Sequence, residues 1–71
     1  MIPVTDRAVL AEIEAYIAAH GYAPSLTELA DACGLSIRAV RLHLLRLERA
    51  GAIRRDYAVP RGLVVLRTNV P

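Results

Sequence analysis

Residues 25–53 read Ser25-Leu-Thr-Glu28-Leu-Ala-Asp-Ala-Cys33-Gly34-Leu35-Ser36-Ile37-Arg38-Ala-Val-Arg41-Leu42-His43-Leu-Leu-Arg46-Leu-Glu-Arg-Ala-Gly51-Ala-Ile53. Ser25 and Glu28 stand at capping-box spacing. The Ser25 hydroxyl can accept from the Glu28 amide while the Glu28 carboxylate reaches back to the Ser25 amide. A short helix is therefore expected from about Leu26 to Cys33, with Leu29, Ala30 and Cys33 facing inward. Gly34 can take a positive φ and turn the chain sharply. Leu35 plugs the corner, and Ser36 caps the next helix. That helix is expected over about 37–50 and stops at Gly51. Ile37, Val40, Leu44 and Leu47 share its core face. Arg38, Leu42, Leu45 and Arg49 share the opposite face, flanked by Arg41 and Arg46.

Working outward, residues 6–20 carry Val9, Leu10, Ile13, Tyr16 and Ile17 at helical spacing. Pro3 and Thr5 precede this pattern. Thr5 is a cap, Asp6 suits the first-turn dipole and Gly21 ends the helix. Pro24 discourages a helical Ala23, so residues 21–24 form a connector. After Gly51 the period changes. Residues 52–57 read as one strand, Val59-Pro60-Arg61-Gly62 as a turn and residues 63–67 as a second strand, giving a hairpin over about 52–67. Thr68 to Pro71 carries no structural signal. The expected class is mainly α with a small β-hairpin, one domain over residues 1–71.

The chain has 71 residues. A domain of this size buries only about 60% of its unfolded surface. Its single cysteine, Cys33, excludes an internal disulfide and fits a reduced, cytoplasmic setting. No apolar run approaches about 18 residues, so no membrane span is expected. The opening residues lack the basic and apolar regions of a signal peptide. The net charge of +2 hides an asymmetry. Residues 1–37 carry Arg7 against Asp6, Glu12, Glu14, Glu28 and Asp31. Residues 38–71 carry eight arginines against Glu48 and Asp56. A basic half points to a polyanionic partner. There is no lysine. Guanidiniums suit bidentate contacts to phosphate or guanine, although arginine-only usage is also what codon bias in a GC-rich genome produces.

The order helix, helix, turn, helix, hairpin resembles the winged helix-turn-helix domains of bacterial and phage regulators. The match runs through Leu29-Ala30, Gly34-Leu35-Ser36, Val40, His43-Leu44, Leu47-Glu48 and Gly51-Ala52-Ile53. The Tyr22-Ala23-Pro24-Ser25 connector is similar to that of the DNA-binding domain of LexA-type repressors, and the Gly34-to-His43 spacing to MarR and ArsR regulators. The resemblance covers roughly residues 5 to 67. LexA-type repressors also carry a self-cleaving peptidase with a Ser–Lys dyad, which a lysine-free stretch does not supply.

The resemblance implies a recognition helix entering the major groove of double-stranded DNA with its N-terminal half leading. Arg38 and Arg41 would then reach guanine O6 and N7, and Leu42 and Ile37 thymine methyls. Arg46 flanks that face. Ser25 and Ser36 cap helix N-termini whose amides can meet phosphates. Arg61 sits at the expected wing tip, facing the minor groove or the backbone. Arg54 and Arg55 alternate on a strand, so one of them faces DNA, and Arg55 is the candidate taken forward. His43 matches a position where winged domains carry a structural histidine, and Leu45 is expected to pack. One such module reads a short site, so a homodimer or fusion partner is expected to supply the second half-site, with Val64, Leu66, Leu42 and Leu45 as candidate apolar surface. Cys33, His20 and His43 lack metal-ligand spacing. No nucleophile elbow or phosphate loop is present, so no catalysis, cofactor or small-molecule ligand is expected. Two further readings stay open: a protein-docking winged helix, since fold does not fix function, and a phage excisionase-like architectural factor that bends DNA.

Overall fold

The computed structural model describes residues 5–66. The expectations for Pro3, for Arg67 at the end of the hairpin and for the tail from Thr68 lie outside them. The elements are α1 (Asp6–His20), α2 (Leu26–Cys33), α3 (Ile37–Arg49), β1 (Ile53–Arg55) and β2 (Leu63–Val65).

Each helix starts on a hydroxyl. Thr5 accepts from the Ala8 amide, Ser25 from Glu28 and Ser36 from Ala39, each at 3.1 Å. In α2 the box closes both ways, because the Ser25 amide donates to Glu28 Oε1 at 2.8 Å. These bonds satisfy amides that a helix start leaves without an intrahelical acceptor. Between α2 and α3 the chain reverses at Gly34, with φ +67°. The Leu35 amide returns to the Ala30 carbonyl at 3.0 Å, and Leu35 packs against the core. A residue with a Cβ is strained at that φ, so the turn depends on glycine.

The core is one cluster. Val9, Leu10 and Ile13 of α1 meet Leu29 and Ala30 of α2 and Val40, Leu44 and Leu47 of α3, with Ala52 and Ile53 closing one side. Full burial of each large side chain contributes about 1.5–3 kcal/mol. Ile37 departs from the expected core face and is 37% exposed. It is the first residue of α3 and does not belong to the buried cluster.

The hairpin is antiparallel, with Ile53 opposite Val65, Arg54 opposite Val64 and Arg55 opposite Leu63. Ile53 is buried and Leu63 and Val65 are partly buried against the core, whereas Arg54 and Val64 face outward. β2 starts where expected, at Leu63, and ends at Val65. β1 ends at Arg55 rather than 57 because the Asp56 side chain accepts from the Ala58 amide at 3.0 Å and diverts the chain into a turn. The turn closes on itself, with the Asp56 amide on the Gly62 carbonyl at 2.6 Å and the Gly62 amide on the Val59 carbonyl at 3.0 Å. At Gly62 a Cβ would land against the Asp56 carbonyl oxygen and 2.8 Å from that of Val59.

Candidate nucleic-acid interface

Helix α3 turns Val40, His43, Leu44 and Leu47 inward. Its remaining positions are therefore presented outward by the same 3.6-residue period. Ser36, Arg38, Ala39, Arg41, Leu42 and Leu45 line one shallow open surface. Leu42 is 52% and Leu45 40% exposed. Leu45 is thus partly open on this face rather than within the core cluster. Arg38 and Arg41 are exposed and have no hydrogen-bond or ion-pair partner among the described residues. Their charge is available to an incoming anion. Ile37 stands beside this surface at the helix start.

Ser25, Arg55 and Arg61 belong to a second place, a cleft of about 390 Å³ between the first turn of α2 and the hairpin turn. The register puts Arg55 on the inward side of the hairpin and Arg54 on the outward side. The Arg55 guanidinium lies 4.5 Å from the centre of the Tyr57 ring. The Tyr57 hydroxyl donates to Glu48 at 2.7 Å, and that bond raises its pKa.

Two of the expected contact residues are engaged within the fold. Arg61 is not a free cation at a wing tip. Its guanidinium folds back, donating from Nη1 to Glu28 Oε1 at 2.6 Å and from Nη2 to Glu28 Oε2 at 3.1 Å. Nη1 also donates to the Ala23 carbonyl at 2.9 Å and meets the Tyr16 hydroxyl at 3.5 Å. Its charge centre sits 4.8 Å from the Tyr22 ring centre. Arg46 is turned to the flank of α3 that faces the start of α1. Its Nε donates to both carboxylate oxygens of Asp6 at 3.1 Å.

Asp6 also meets Nδ1 of buried His43 at 2.6 Å. With Nδ1 donating its proton to Asp6 Oδ1, the 3.1 Å approach of Arg46 Nη2 to the same nitrogen is a packing contact. Burial alone would push the Asp6 pKa up, but the bonds from Arg46 and His43 outweigh it and hold the carboxyl below its usual range. Burial, helped by the charge of Glu12, pushes the Cys33 thiol up. Cys33 therefore stays protonated and packs behind the turn. Among the described residues no three His, Cys, Asp or Glu side chains cluster to hold a metal ion, and no helix is long and apolar enough to cross a membrane.

The bonds from Arg61, and then from the Ser25 amide, lower the Glu28 pKa to about 2. A depressed carboxyl stabilises the fold above its unfolded pKa and loses that contribution as pH falls through the folded one. The thermal midpoint of the native chain should exceed that of Glu28→Gln at pH 6. The gap should begin to close below the ordinary value of 4.5 and vanish near pH 2. A gap that persists unchanged at pH 2 contradicts this assignment.

Asp6–Arg46 and Glu28–Arg61 were missed by sequence reasoning. Their partners lie 40 and 33 residues apart. Glu28 and Asp6 each had a complete local explanation, as a cap and as a first-turn acid. The structural reading of His43 was the one hint that something polar faces the core there.

The protein-family and relative comparisons agree with one another. The family described as the LexA DNA binding domain matches residues 1–62. A LexA repressor of an Exiguobacterium species is 42% identical over 67 residues, covering 93% of this chain and 32% of the relative. A LexA repressor of Bacillus subtilis is 43% identical over 63 residues, covering 87% and 31%. One from Mycobacterium leprae is 45% identical over 61 residues, covering 84% and 26%. The chain thus spans about a third or less of the length of these curated relatives.

Proposed function

This chain belongs to the LexA DNA-binding-domain family, and from that membership we propose that it is a sequence-specific, double-stranded DNA-binding module of a transcriptional repressor. The outer surface of α3 carries the proposal, because two exposed guanidiniums without partners among the described residues stand beside the apolar Leu42 in the leading half of the helix. In this reading α3 lies in the major groove. Arg38 and Arg41 donate to guanine O6 and N7, and Leu42 and Ile37 contact thymine methyls. Ser25 and Ser36 hold the starts of α2 and α3, whose leading amides meet phosphates. Arg55 and the hairpin follow the backbone or minor groove. Specificity comes from the α3 side chains, while affinity comes largely from arginine–phosphate contacts and counterion release. A second copy or a fused partner supplies the second half-site.

The test is fluorescence anisotropy with a labelled mixed-sequence duplex across a salt series. Affinity should fall steeply and linearly on a log–log plot, with a slope of several ions. Absence of binding even at low salt would overturn the DNA reading. It would favour protein docking through Leu42 and Leu45, whose exposure is the one observation on that side.

A further inference from the structure

The Arg61 side chain joins three parts of the fold. It reaches Tyr16 at the end of α1, Ala23 and Tyr22 in the connector, and Glu28 in the first turn of α2. Arg61 itself stands in the hairpin turn, with φ +56°, the one non-glycine residue at positive φ among those described. That backbone state is unfavourable for a residue with a Cβ, so something must hold it there. The turn's own backbone bonds help to hold it, the Leu63 amide donating to the Arg61 carbonyl at 2.9 Å, and the guanidinium adds a two-pronged bond to a carboxylate, a bond to a carbonyl and an aromatic face. Glu28 simultaneously caps α2 through the Ser25 amide. The hairpin turn, the α1–α2 corner and the N-terminus of α2 are thereby locked to one another.

We infer that Arg61 and Glu28 are positioning residues, whose clasp sets the hairpin turn against the start of α2 so that the wing meets DNA already aligned. This rests on the DNA reading above and deepens it. Arg61 acts through the wing's placement rather than by touching a phosphate, which leaves Arg55 as the cation the hairpin offers to DNA in this reading. Glu28 assists binding although it is acidic, which runs against the rule that removing a negative charge tightens a DNA complex.

The discriminating experiment measures affinity and salt slope for the native chain, Arg61→Ala, Arg61→Lys, Glu28→Gln and the double variant Arg61→Ala/Glu28→Gln. Temperatures well below each melting midpoint keep all of them folded. Glutamine retains the capping-box bond while discarding the charge. Lysine retains the charge while discarding the fork. The clasp predicts about a tenfold loss for Arg61→Ala and Arg61→Lys, and a smaller loss for Glu28→Gln, since a loosened wing must be ordered on binding. It predicts the native salt slope throughout. It also predicts a double variant no weaker than Arg61→Ala, as expected for residues acting as one unit.

Three results would overturn the inference while leaving DNA binding intact. Arg61→Lys with near-native affinity, accompanied by a slope about one lower for Arg61→Ala, would make Arg61 a phosphate contact. Tighter binding by Glu28→Gln would do the same for Glu28's role. Native affinity in every variant would reduce the clasp to a purely internal bond. A native chain that fails to bind at low salt would instead remove the DNA reading, and this inference with it.

Discussion

Replacing Arg38 and Arg41 together by alanine should cut affinity for the preferred site by roughly two to three orders of magnitude, since each bidentate contact to guanine contributes about 1–3 kcal/mol of discrimination. Both side chains are exposed and neither has a partner among the described residues. The variant should therefore keep its circular dichroism spectrum and melt within about 0.5 kcal/mol of the native chain. Binding to unrelated sequence should fall less, because base readout is lost while other arginines still meet phosphates. The site preference should relax at the base pairs read by these two residues, which a selection from random duplexes would show. Unchanged affinity and preference would remove the outer surface of α3 as the reading head.

Leu44→Ala should have the largest effect on folding. Leu44 is 1% exposed at the centre of α3 and packs within the single core cluster. Truncating a buried leucine costs about 2–5 kcal/mol, through lost transfer free energy and the cavity left behind. For a domain of this length each kcal/mol moves the melting midpoint by about 4–8 °C. The midpoint should drop by roughly 10–30 °C, a large part of the marginal stability of a small domain. Leu42→Ala is the internal control. It changes the same residue type two positions earlier, where the side chain is 52% exposed. It should leave the midpoint nearly unmoved and weaken DNA binding. Equal midpoints for the two variants, followed by thermal circular dichroism, would contradict the placement of α3.

The order of three helices and a hairpin was legible because its signals are local. A hydroxyl at the start of each helix, a glycine at the reversal and an apolar stripe with helical period all act within four residues of one another. The family resemblance was carried by the same short stretches. Ile37 was misplaced because periodicity assigns a face but does not say where the opposing helices end. The first strand was overestimated because the Asp56 side chain competes for the backbone. The fates of the arginines were the least legible. Arg38, Arg46 and Arg61 are the same residue to any composition or charge argument. One has no partner among the described residues, one is held by Asp6 and one by Glu28, because of where the fold brings carboxylates 40 and 33 residues away. Sign and count of charge carry no address. The candidate surface could thus be read in outline from the sequence, while the division between guanidiniums that reach outward and those that brace the fold could not.

The ring of bonds that closes the hairpin turn through Asp56, Val59 and Gly62 divides that turn into two kinds of position. Gly62 has no room for a side chain, and Asp56 supplies both backbone and side-chain bonds. These are positions at which change deforms the frame. Tyr57 is tied to Glu48 and Arg55, but Ala58, Val59 and Pro60 project from the turn, all exposed. Their side chains are open to replacement where the backbone bonds are kept. A lineage carrying this domain can therefore vary the chemistry of its wing tip without renegotiating how the wing folds, and mutational scans should find tolerance at 58 and 59 bordered by intolerance at 62.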